Sequence, residues 1–176
     1  MAVNAVWPSA EVIYSSSLVM EPLRVDHADE VASALDDPEL HAYIGGEPAT
    51  AEELRSRFAI QVVGQSPDGS EGWLNWVLRD AASQQVVGTV QATLTQRPEG
   101  MVAAFAWTVG TPWQGQGTAK EAAKALSAWL LAQGAVRQEA HVHPDHAASA
   151  AIARAVGMQP TADLVDGEVR WVLRTS

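Results

Sequence analysis

The sequence predicts a mixed α/β fold in which a largely antiparallel central sheet of about seven strands is flanked by about four helices. Three observations favour this class. Apolar residues alternate in three consecutive runs between residues 73 and 109, which is typical of an antiparallel meander. Two stretches, 118–133 and 144–157, have helical spacing. The pair Asp166-Gly167 between two apolar runs is a strong hairpin signal.

The N-terminal third is predicted to contain one strand and two helices. These elements are a strand at 18–23, a short helix from Asp26 to about Leu35, a loop at 36–48 and a helix from Thr50 to about Gly64. Asp26 is expected to cap the first helix, with Asp29 three residues later. Thr50 and Glu53 form a capping box for the second helix.

The remaining elements alternate between strands and helices. They are strands at 73–80, 85–95 and 101–109, a helix at 118–133, a strand at 135–143, a helix at 144–157 and strands at 161–165 and 168–174. Gly134 and Gly157 are expected just past the ends of the two helices, where a left-handed residue is favoured. Asp145 is expected to cap the second helix, with Ala148, Ala151, Ile152 and Ala155 facing inward.

The composition is that of a folded protein that does not use cysteine chemistry. Of the 176 residues, 47% are hydrophobic and 18% are charged, and there is no cysteine. This excludes disulfides, thiolate zinc sites and a cysteine nucleophile, and it is consistent with the cytoplasm. No apolar run is long enough to predict a membrane span. We expect a flexible arm at 1–14 and a single domain at 15–176.

The negative charge is concentrated in the first third of the chain. The formal net charge is −10, and residues 1–53 contain eleven of the 21 acidic residues but one of the 11 basic residues. Such a field repels nucleic acid and anionic membranes and attracts cations. It indicates either a solvated surface that keeps the protein soluble or a surface that collects a cationic substrate.

The stretch HVHPDH at residues 141–146 has the spelling of a metal-binding motif. The pattern His-x-His-x-Asp-His occurs in metallo-β-lactamase-like hydrolases, where it follows a strand. A dinuclear site needs further ligands downstream, but no histidine follows His146. The alternative is that His141 and His143 end a strand and Asp145 begins a helix. We expect no metal site.

A glycine-containing stretch between a strand and a helix indicates an anion site. The residues are Gln114, Gly115, Gln116, Gly117, Thr118 and Ala119. Glycines let a ligand approach the backbone closely, and the unpaired N–H groups of a helix start favour phosphate. The stretch lacks the Gly-Lys-Ser/Thr ending of a P-loop and the glycine spacing of a dinucleotide fold.

These residues resemble the pyrophosphate loop of the GNAT superfamily of acyl-CoA-dependent N-acyltransferases. In that loop Arg or Gln is followed by two residues of any type, then Gly, one further residue, and Gly or Ala. Gln114, Gly117 and Ala119 match that pattern. The element order from residue 18 to about 174 is similar as well, and HPDHAAS is similar to the cofactor-side helix start. Ser149 matches a serine there, whereas His146 stands where Asn is common. The likeness is strongest to the branch that acetylates ribosomal proteins.

The resemblance implies acetyl-CoA as cosubstrate, bound by residues 114–119 with Val109, His146 and Ser149. The backbone N–H of Val109 would bind the developing oxyanion, and Ser149 would protonate the departing thiolate. The proton of the amine would pass to a base, for which His143, His141 and Glu168 are the candidates.

The acceptor side is implied to lie between the loop after the first helix and the last hairpin. Its candidate residues are Asp37, Glu39, Trp76, Trp107 and Trp171. The acidic first third favours a small cationic amine such as an aminoglycoside antibiotic, which would make the enzyme one of resistance or detoxification. A protein N-terminus and a CoA-binding module without turnover are the alternatives. The sequence leaves homodimer formation open.

Overall fold

The computed structural model describes residues 5–42 and 46–175. Residues 1–4 of the expected arm, residues 43–45 of the first loop and Ser176 lie outside this description. The strands are β1 (Ile13–Tyr14), β2 (Leu18–Pro22), β3 (Glu71–Asp80), β4 (Val86–Arg97), β5 (Gly100–Val109), β6 (Arg137–Val142), β7 (Gln159–Val165) and β8 (Glu168–Arg174). The α-helices are α1 (Ala28–Ala34), α2 (Ala51–Gln61), α3 (Thr118–Ala132) and α4 (Ala147–Val156).

The strands form one mixed sheet in the order β1-β2-β3-β4-β5-β6-β8-β7. Among the described strands, every pairing is antiparallel except that between β5 and β6. The predicted fold class is confirmed, and the added strand is the two-residue β1, which is too short to give a periodic signal. In the β7–β8 hairpin, Asp166 and Gly167 both have positive φ, as a two-residue type I′ turn requires.

The two faces of the sheet are covered by different helices. One face packs on α3 and α4 through a core that includes Leu94, Leu126 and Leu130. The other face packs on α1 and α2 through a smaller core that includes Phe58 and Val77. Within the described ranges, no helix combines the length and the apolar character needed to span a bilayer.

The N-terminal segment does not form the loose arm that the sequence predicts. The indole N–H of Trp7 donates to the Gly69 carbonyl at 3.1 Å. Trp7 also packs so closely on Gly72 that a Cβ there would lie 2.7 Å from the indole. The indole N–H of Trp76 donates to the Glu11 carbonyl at 2.8 Å. Residues 5–14 are therefore held against the sheet by the half-buried Trp7 and the buried Trp76, and isolated aromatic residues of this kind gave no periodic signal.

Two of the predicted helix starts are shifted. A 3-10 turn at Val25–His27 precedes α1, so His27 and not Asp26 stands at its N-cap. The cause is the buried His27 ring, which accepts the Arg24 N–H at 3.0 Å and draws the chain into that turn. The α4 helix begins at Ala147 with His146 at its N-cap, and the expected cap Asp145 lies in the preceding turn.

Other helix ends agree with the sequence. Thr50 caps α2 by accepting the Glu53 N–H at 3.1 Å. Gly134 and Gly157 have left-handed φ values just past α3 and α4. The inward face of α4 was predicted in part. Ile152 packs on the core and Ala155 is half-buried, but Ala148 and Ala151 are exposed, and the core takes Ala150 and Ala153 instead.

Candidate functional site

The two parallel strands separate before they end. Their pairing covers residues 102–104 of β5 and 137–139 of β6, although β5 continues to Val109 and β6 to Val142. Because the strands are parallel and each is followed by a helix, the N-termini of α3 and α4 emerge at the same edge of the sheet. We call the opening between residues 105–109 and 140–142 the β5–β6 cleft.

The backbone amide of Val109 faces this cleft. The neighbouring Gly110 N–H donates to the Val87 carbonyl of β4 at 2.8 Å. Peptide groups alternate in direction along a strand, so those of Val109 point away from β4 and toward β6. This is the orientation that the predicted role of Val109 requires.

The predicted anion loop has the expected backbone form. Gly115 and Gly117 have φ values of +76° and +81°, and no protein atom lies within 4 Å of a Cβ built at either. Among the described residues, no acceptor is recorded for the N–H groups of Gly115, Gln116 and Gly117. The first N–H groups of α3 lack intrahelical partners by geometry. These donors and the open space above them fit a diphosphate.

Gln114 plays a different part from its glycine neighbours. Its side-chain amide donates to the Val109 carbonyl at 2.9 Å, and its backbone N–H donates to the Thr111 carbonyl at 3.2 Å. Gln114 therefore fixes the loop to the end of β5. Both of these donors are turned toward the protein, so the anion-binding donors begin at Gly115.

A carboxylate in the first turn of α3 was missed by the sequence reasoning. Glu121 accepts hydrogen bonds from the Ser15 hydroxyl at 2.6 Å and from the Ser17 N–H at 3.1 Å. Burial acts to raise the pKa of Glu121, but the serine hydrogen bonds outweigh it and the pKa is lowered. The contact holds the β1–β2 turn against α3, and only the run of three serines at 15–17 hinted at it.

The start of α4 brings His146 and Ser149 together, with His143 in the preceding turn. The Ser149 hydroxyl lies 3.5 Å from His146 Nε2, and Ser149 is half-buried. The Asp145 N–H donates to His143 Nδ1 at 3.0 Å. Burial and the neighbouring His143 lower the pKa of His146, so its ring is neutral at pH 7. The group lies on the α3–α4 face of the sheet.

The histidine spelling encodes a strand end and a helix start. His141 is exposed and lies on the opposite face from the buried Ala140 and Val142. His143 instead accepts a backbone N–H within the turn to α4. Within residues 5–42 and 46–175, no three His, Asp or Glu side chains are grouped as a metal site requires.

The α1–α2 face of the sheet carries a different set of candidates. His141 lies opposite Arg170 in the β6–β8 register, and the pair Val142–Val169 places Glu168 next to the end of β6. Residues two apart share a face, so His141, Glu168 and Arg170 lie together on this side. Arg170 is held by Glu139 and Asp163, and those hydrogen bonds, above all that to Asp163, raise its pKa.

The tryptophans predicted to line an acceptor pocket belong to the core. Trp76 has no exposed surface and packs edge-on against Trp129 at 5.3 Å. Trp171 is 5% exposed and lies under the Arg154 guanidinium, on the α4 side. Trp107 packs against Phe105 and the same core. The prediction failed because strand alternation puts all three on the α3–α4 face.

The acidic loop after α1 is tied to the end of β5. The Thr111 hydroxyl donates to Asp37 at 2.6 Å, and the Glu39 N–H donates to the same carboxylate at 2.9 Å. The Thr111 hydrogen bond is the main reason that the pKa of Asp37 is lowered. Asp37 is therefore a structural link between the loop and β5, whereas the Glu39 side chain is exposed.

A family model described as an acetyltransferase (GNAT) domain matches residues 17–159 of the chain. No protein of curated function matches it in sequence. Solved structures match over nearly the whole fold. A GNAT-family acetyltransferase from Bacillus anthracis has a TM-score of 0.75 at 16% identity, covering 93% of this chain and 98% of that one.

Two similar structures are named for ribosomal proteins. The ribosomal L7/L12 alpha-N-protein acetyltransferase RimL, solved with coenzyme A, has a TM-score of 0.75 at 16% identity over 93% of this chain and 98% of that one. A ribosomal-protein-S5-alanine acetyltransferase from Vibrio fischeri has a TM-score of 0.73 at 16% identity over 94% and 97%. At these identities the likeness concerns the fold.

Proposed function

Because the chain belongs to the GNAT acetyltransferase family, we propose that its β5–β6 cleft transfers the acetyl group of acetyl-CoA to a primary amine. The observation that carries this proposal is the separation of two parallel strands beside a helix start with unpaired amides. The cleft offers donors for the thioester on one face of the sheet and an entrance for an amine on the other. The lack of cysteine is consistent with a cytoplasmic enzyme.

The acetyl donor would be held by the backbone of the α3 start. The amides from Gly115 to Ala119 would bind the diphosphate of coenzyme A, aided by the helix dipole. The pantetheine arm would then run along the cleft between α3 and α4, past His146. The Val109 N–H would donate to the thioester oxygen as negative charge develops there.

The amine must lose a proton as its nitrogen bonds to the carbonyl carbon. His141 is the favoured acceptor of that proton, because it is exposed on the α1–α2 face at the level where β5 leaves β6. His143 is less suited, since its Nδ1 lone pair already accepts the Asp145 N–H. Glu168, one register position beyond the end of the β6–β8 pairing, is the alternative base.

The carbon–sulfur bond then breaks and the departing thiolate takes up a proton. Ser149 is the proposed donor of that proton, because it lies in the first turn of α4 and the start of α4 borders the cleft. Its hydroxyl can be resupplied through the neutral His146 ring, 3.5 Å away. A hydroxyl also stabilises the thiolate by donating a hydrogen bond before the proton transfers.

The first acceptor to consider is the N-terminal amine of a polypeptide. Two similar folds are named as acetyltransferases of ribosomal proteins. On the α1–α2 face, Ala106 and His141 beside the cleft are exposed, which leaves room for a polypeptide.

The second acceptor is a small cationic amine such as an aminoglycoside, which the acidic first third supports. That support is reduced because four of the eleven acids, Glu21, Asp26, Asp29 and Glu30, are paired with arginines.

A single assay separates the reactions. The protein is mixed with acetyl-CoA and, in parallel, with N-terminal peptides, aminoglycosides and polyamines, and thiol release and product mass are followed. Acetylated peptide without acetylated drug supports the first acceptor, and the reverse supports the second. Coenzyme A binding without any thiol release would identify a binding module and refute the proposal. A His141→Gln enzyme is expected to have a kcat/KM about 100-fold below that of the parent, because general-base catalysis contributes about that factor.

A further inference from the structure

A cleft on the α1–α2 face of the sheet lies outside the residues that the chemistry uses. Its volume is about 320 Å³. Its lining residues come from the C-terminal half of α2 and from two central strands, and they are Arg57, Ile60, Gln61, Trp73, Asn75, Gln91, Ala92 and Thr93. We call it the α2 cleft. It opens on the face from which the amine would approach His141.

Strand register gives the distance between the α2 cleft and the β5–β6 cleft. Asn75 of β3 lies opposite Gln91 of β4, and Gln91 lies opposite Ala106 of β5. These side chains form one row across the sheet, and the row ends at the β5–β6 cleft. The row meets β5 three residues before Val109, so Gln91 lies one strand spacing and three residues away from the Val109 amide, a distance of about 11 Å. An extended polypeptide covers that distance in about three residues.

The floor of the α2 cleft is polar but uncharged. The side-chain amides of Asn75 and Gln91 have no recorded hydrogen bond to other described residues, so both can bond to a peptide backbone. Ala106 and Ala104 in the neighbouring strand leave room for a chain to lie across the sheet. Amides alternating with small residues suit an extended backbone better than a compact polycation.

The walls of the α2 cleft are apolar at one point and cationic at another. The Trp73 ring is half-buried and is fixed by its N–H bond to Glu71 at 3.1 Å. Ile60 of α2 is 61% exposed. Arg57 is also exposed, and no carboxylate partner is recorded for it within the described chain. Trp73 and Ile60 therefore favour an apolar side chain in the ligand. Arg57 favours an acidic residue next to it and disfavours a lysine.

We propose that the α2 cleft holds the third or fourth residue of a polypeptide acceptor whose N-terminal amine lies in the β5–β6 cleft. The acceptor residue that binds in the α2 cleft is apolar, and its neighbour in the acceptor sequence is uncharged or acidic. This inference rests on the proposed acetyl transfer and adds the substrate class and the residues that select it. Trp73 and Ile60 pack on the side chain, Asn75 and Gln91 bond to the backbone, and Arg57 selects charge.

The test compares peptide acceptors of different length and charge. Hexapeptides with Leu, Glu or Lys at positions three and four are compared with a dipeptide amide that cannot reach the α2 cleft. The leucine hexapeptide is expected to have a kcat/KM about tenfold above that of the dipeptide, because burial of one leucine supplies about that factor. The lysine hexapeptide should be the poorest of the three.

Variants of the parent enzyme identify the residues. Gln91→Ala should reduce the advantage of the leucine hexapeptide over the dipeptide about threefold, the net contribution of one backbone hydrogen bond, whereas Gln96→Ala, at an exposed β4 position outside the cleft, should leave it unchanged. Arg57→Glu should favour the lysine hexapeptide about threefold over the glutamate one, as expected for an exposed charge pair. Lys124→Glu, on the other side of the sheet, is its charge control. Both test positions are exposed or half-buried, so the variants should fold.

The outcomes separate the two proposals. Equal turnover of dipeptide and hexapeptides, with no change in the Gln91 and Arg57 variants, would overturn the α2 cleft but leave acetyl transfer intact. Acetylation of small amines and of no peptide would also overturn it. An enzyme that releases no thiol with any amine refutes the underlying activity instead.

Discussion

Replacement of Gly117 by alanine tests the coenzyme A loop most directly. Gly117 has a φ of +81° at the N-cap of α3. A left-handed alanine costs about 1–2 kcal/mol. No protein atom lies within 4 Å of the added Cβ, so the cost is conformational and not steric. The loop can avoid it by changing conformation, and it would then lose the alignment of the amides from Gly115 to Ala119.

The matched control lies at the other end of the same helix. Gly134 has a φ of +98° and equally open surroundings. Gly134→Ala should therefore destabilise the fold by a similar amount without touching the loop. Calorimetric titration of coenzyme A should give a Kd raised roughly 5- to 30-fold for Gly117→Ala, which is the same 1–2 kcal/mol. The Kd for Gly134→Ala should equal that of the parent.

Thermal unfolding completes the comparison. If both variants lose stability equally and both bind coenzyme A like the parent, the loop does not bind the diphosphate, and the reasoning from its backbone is refuted. If neither glycine variant loses stability, the left-handed conformations themselves are in doubt. A Kd raised in the Gly117 variant alone supports the assignment.

Three further predictions concern chemistry and stability. Ser149→Ala should lower kcat about 100-fold with little change in the KM for acetyl-CoA, in a steady-state thiol-release assay. Trp76→Phe should lower the free energy of unfolding by about 2 kcal/mol, by urea titration, without changing the KM for the acceptor, because the residue is in the core. Acidification should destabilise the fold in two stages. Below about pH 6.5 the unfolded chain takes up a proton that the burial of His27 resists, and near pH 4 and lower the stability from Glu21, whose pKa Arg79 lowers, is lost. Urea titrations between pH 8 and 3 would reveal both stages, and a flat profile would contradict them.

The fold could be predicted from the sequence because the strands, helices and turns are each marked by patterns of neighbouring residues. Alternation in β3, β4 and β5, the apolar stripe of α3 and the Asp166-Gly167 turn each depend on neighbouring residues. The shifted start of α1 depended on a tertiary fact, the burial of His27 against the backbone of Arg24. Nothing in the residues around Asp26 reports that contact.

One part of the candidate site could also be predicted from neighbouring residues, and another part could not. The loop at 114–119 could be located from the sequence because glycines mark special backbone conformations, and Gly115 and Gly117 do have positive φ values. Its role in binding an anion stays a prediction. The acceptor side was not, because it depends on which face of the sheet each residue occupies. Trp76 and Asn75 are adjacent in sequence, yet the first is in the core and the second lines the α2 cleft. Neighbouring residues of a strand always lie on opposite faces of the sheet. Which of the two faces is covered by α3 and α4 can be assigned only when the strand register is known.

The interpretation of the acidic first third also changes once the contacts of its side chains are known. The excess of acids in the first third suggested a field open to a cationic substrate, but a formal count ignores pairing. Arg79 alone holds both Glu21 and Glu30, and Thr111 holds Asp37. Where the acceptor would lie, the charge of the exposed Arg57 has the opposite sign. Net charge therefore informs on long-range attraction, while selection among amines depends on the few groups that face the cleft.

The parallel pairing of β5 and β6 gives a physical reason for the location of the proposed site. In an antiparallel pair, the chain returns through a turn and the strand ends stay joined. β5 and β6 are instead connected by α3, so neither end is tied to the other at the edge where α3 and α4 begin. The strands can therefore separate there at no cost in turn geometry, and the peptide groups released from pairing, such as the Val109 N–H, become available to a substrate. An antiparallel connection at this place would have closed the cleft and satisfied the same donors internally.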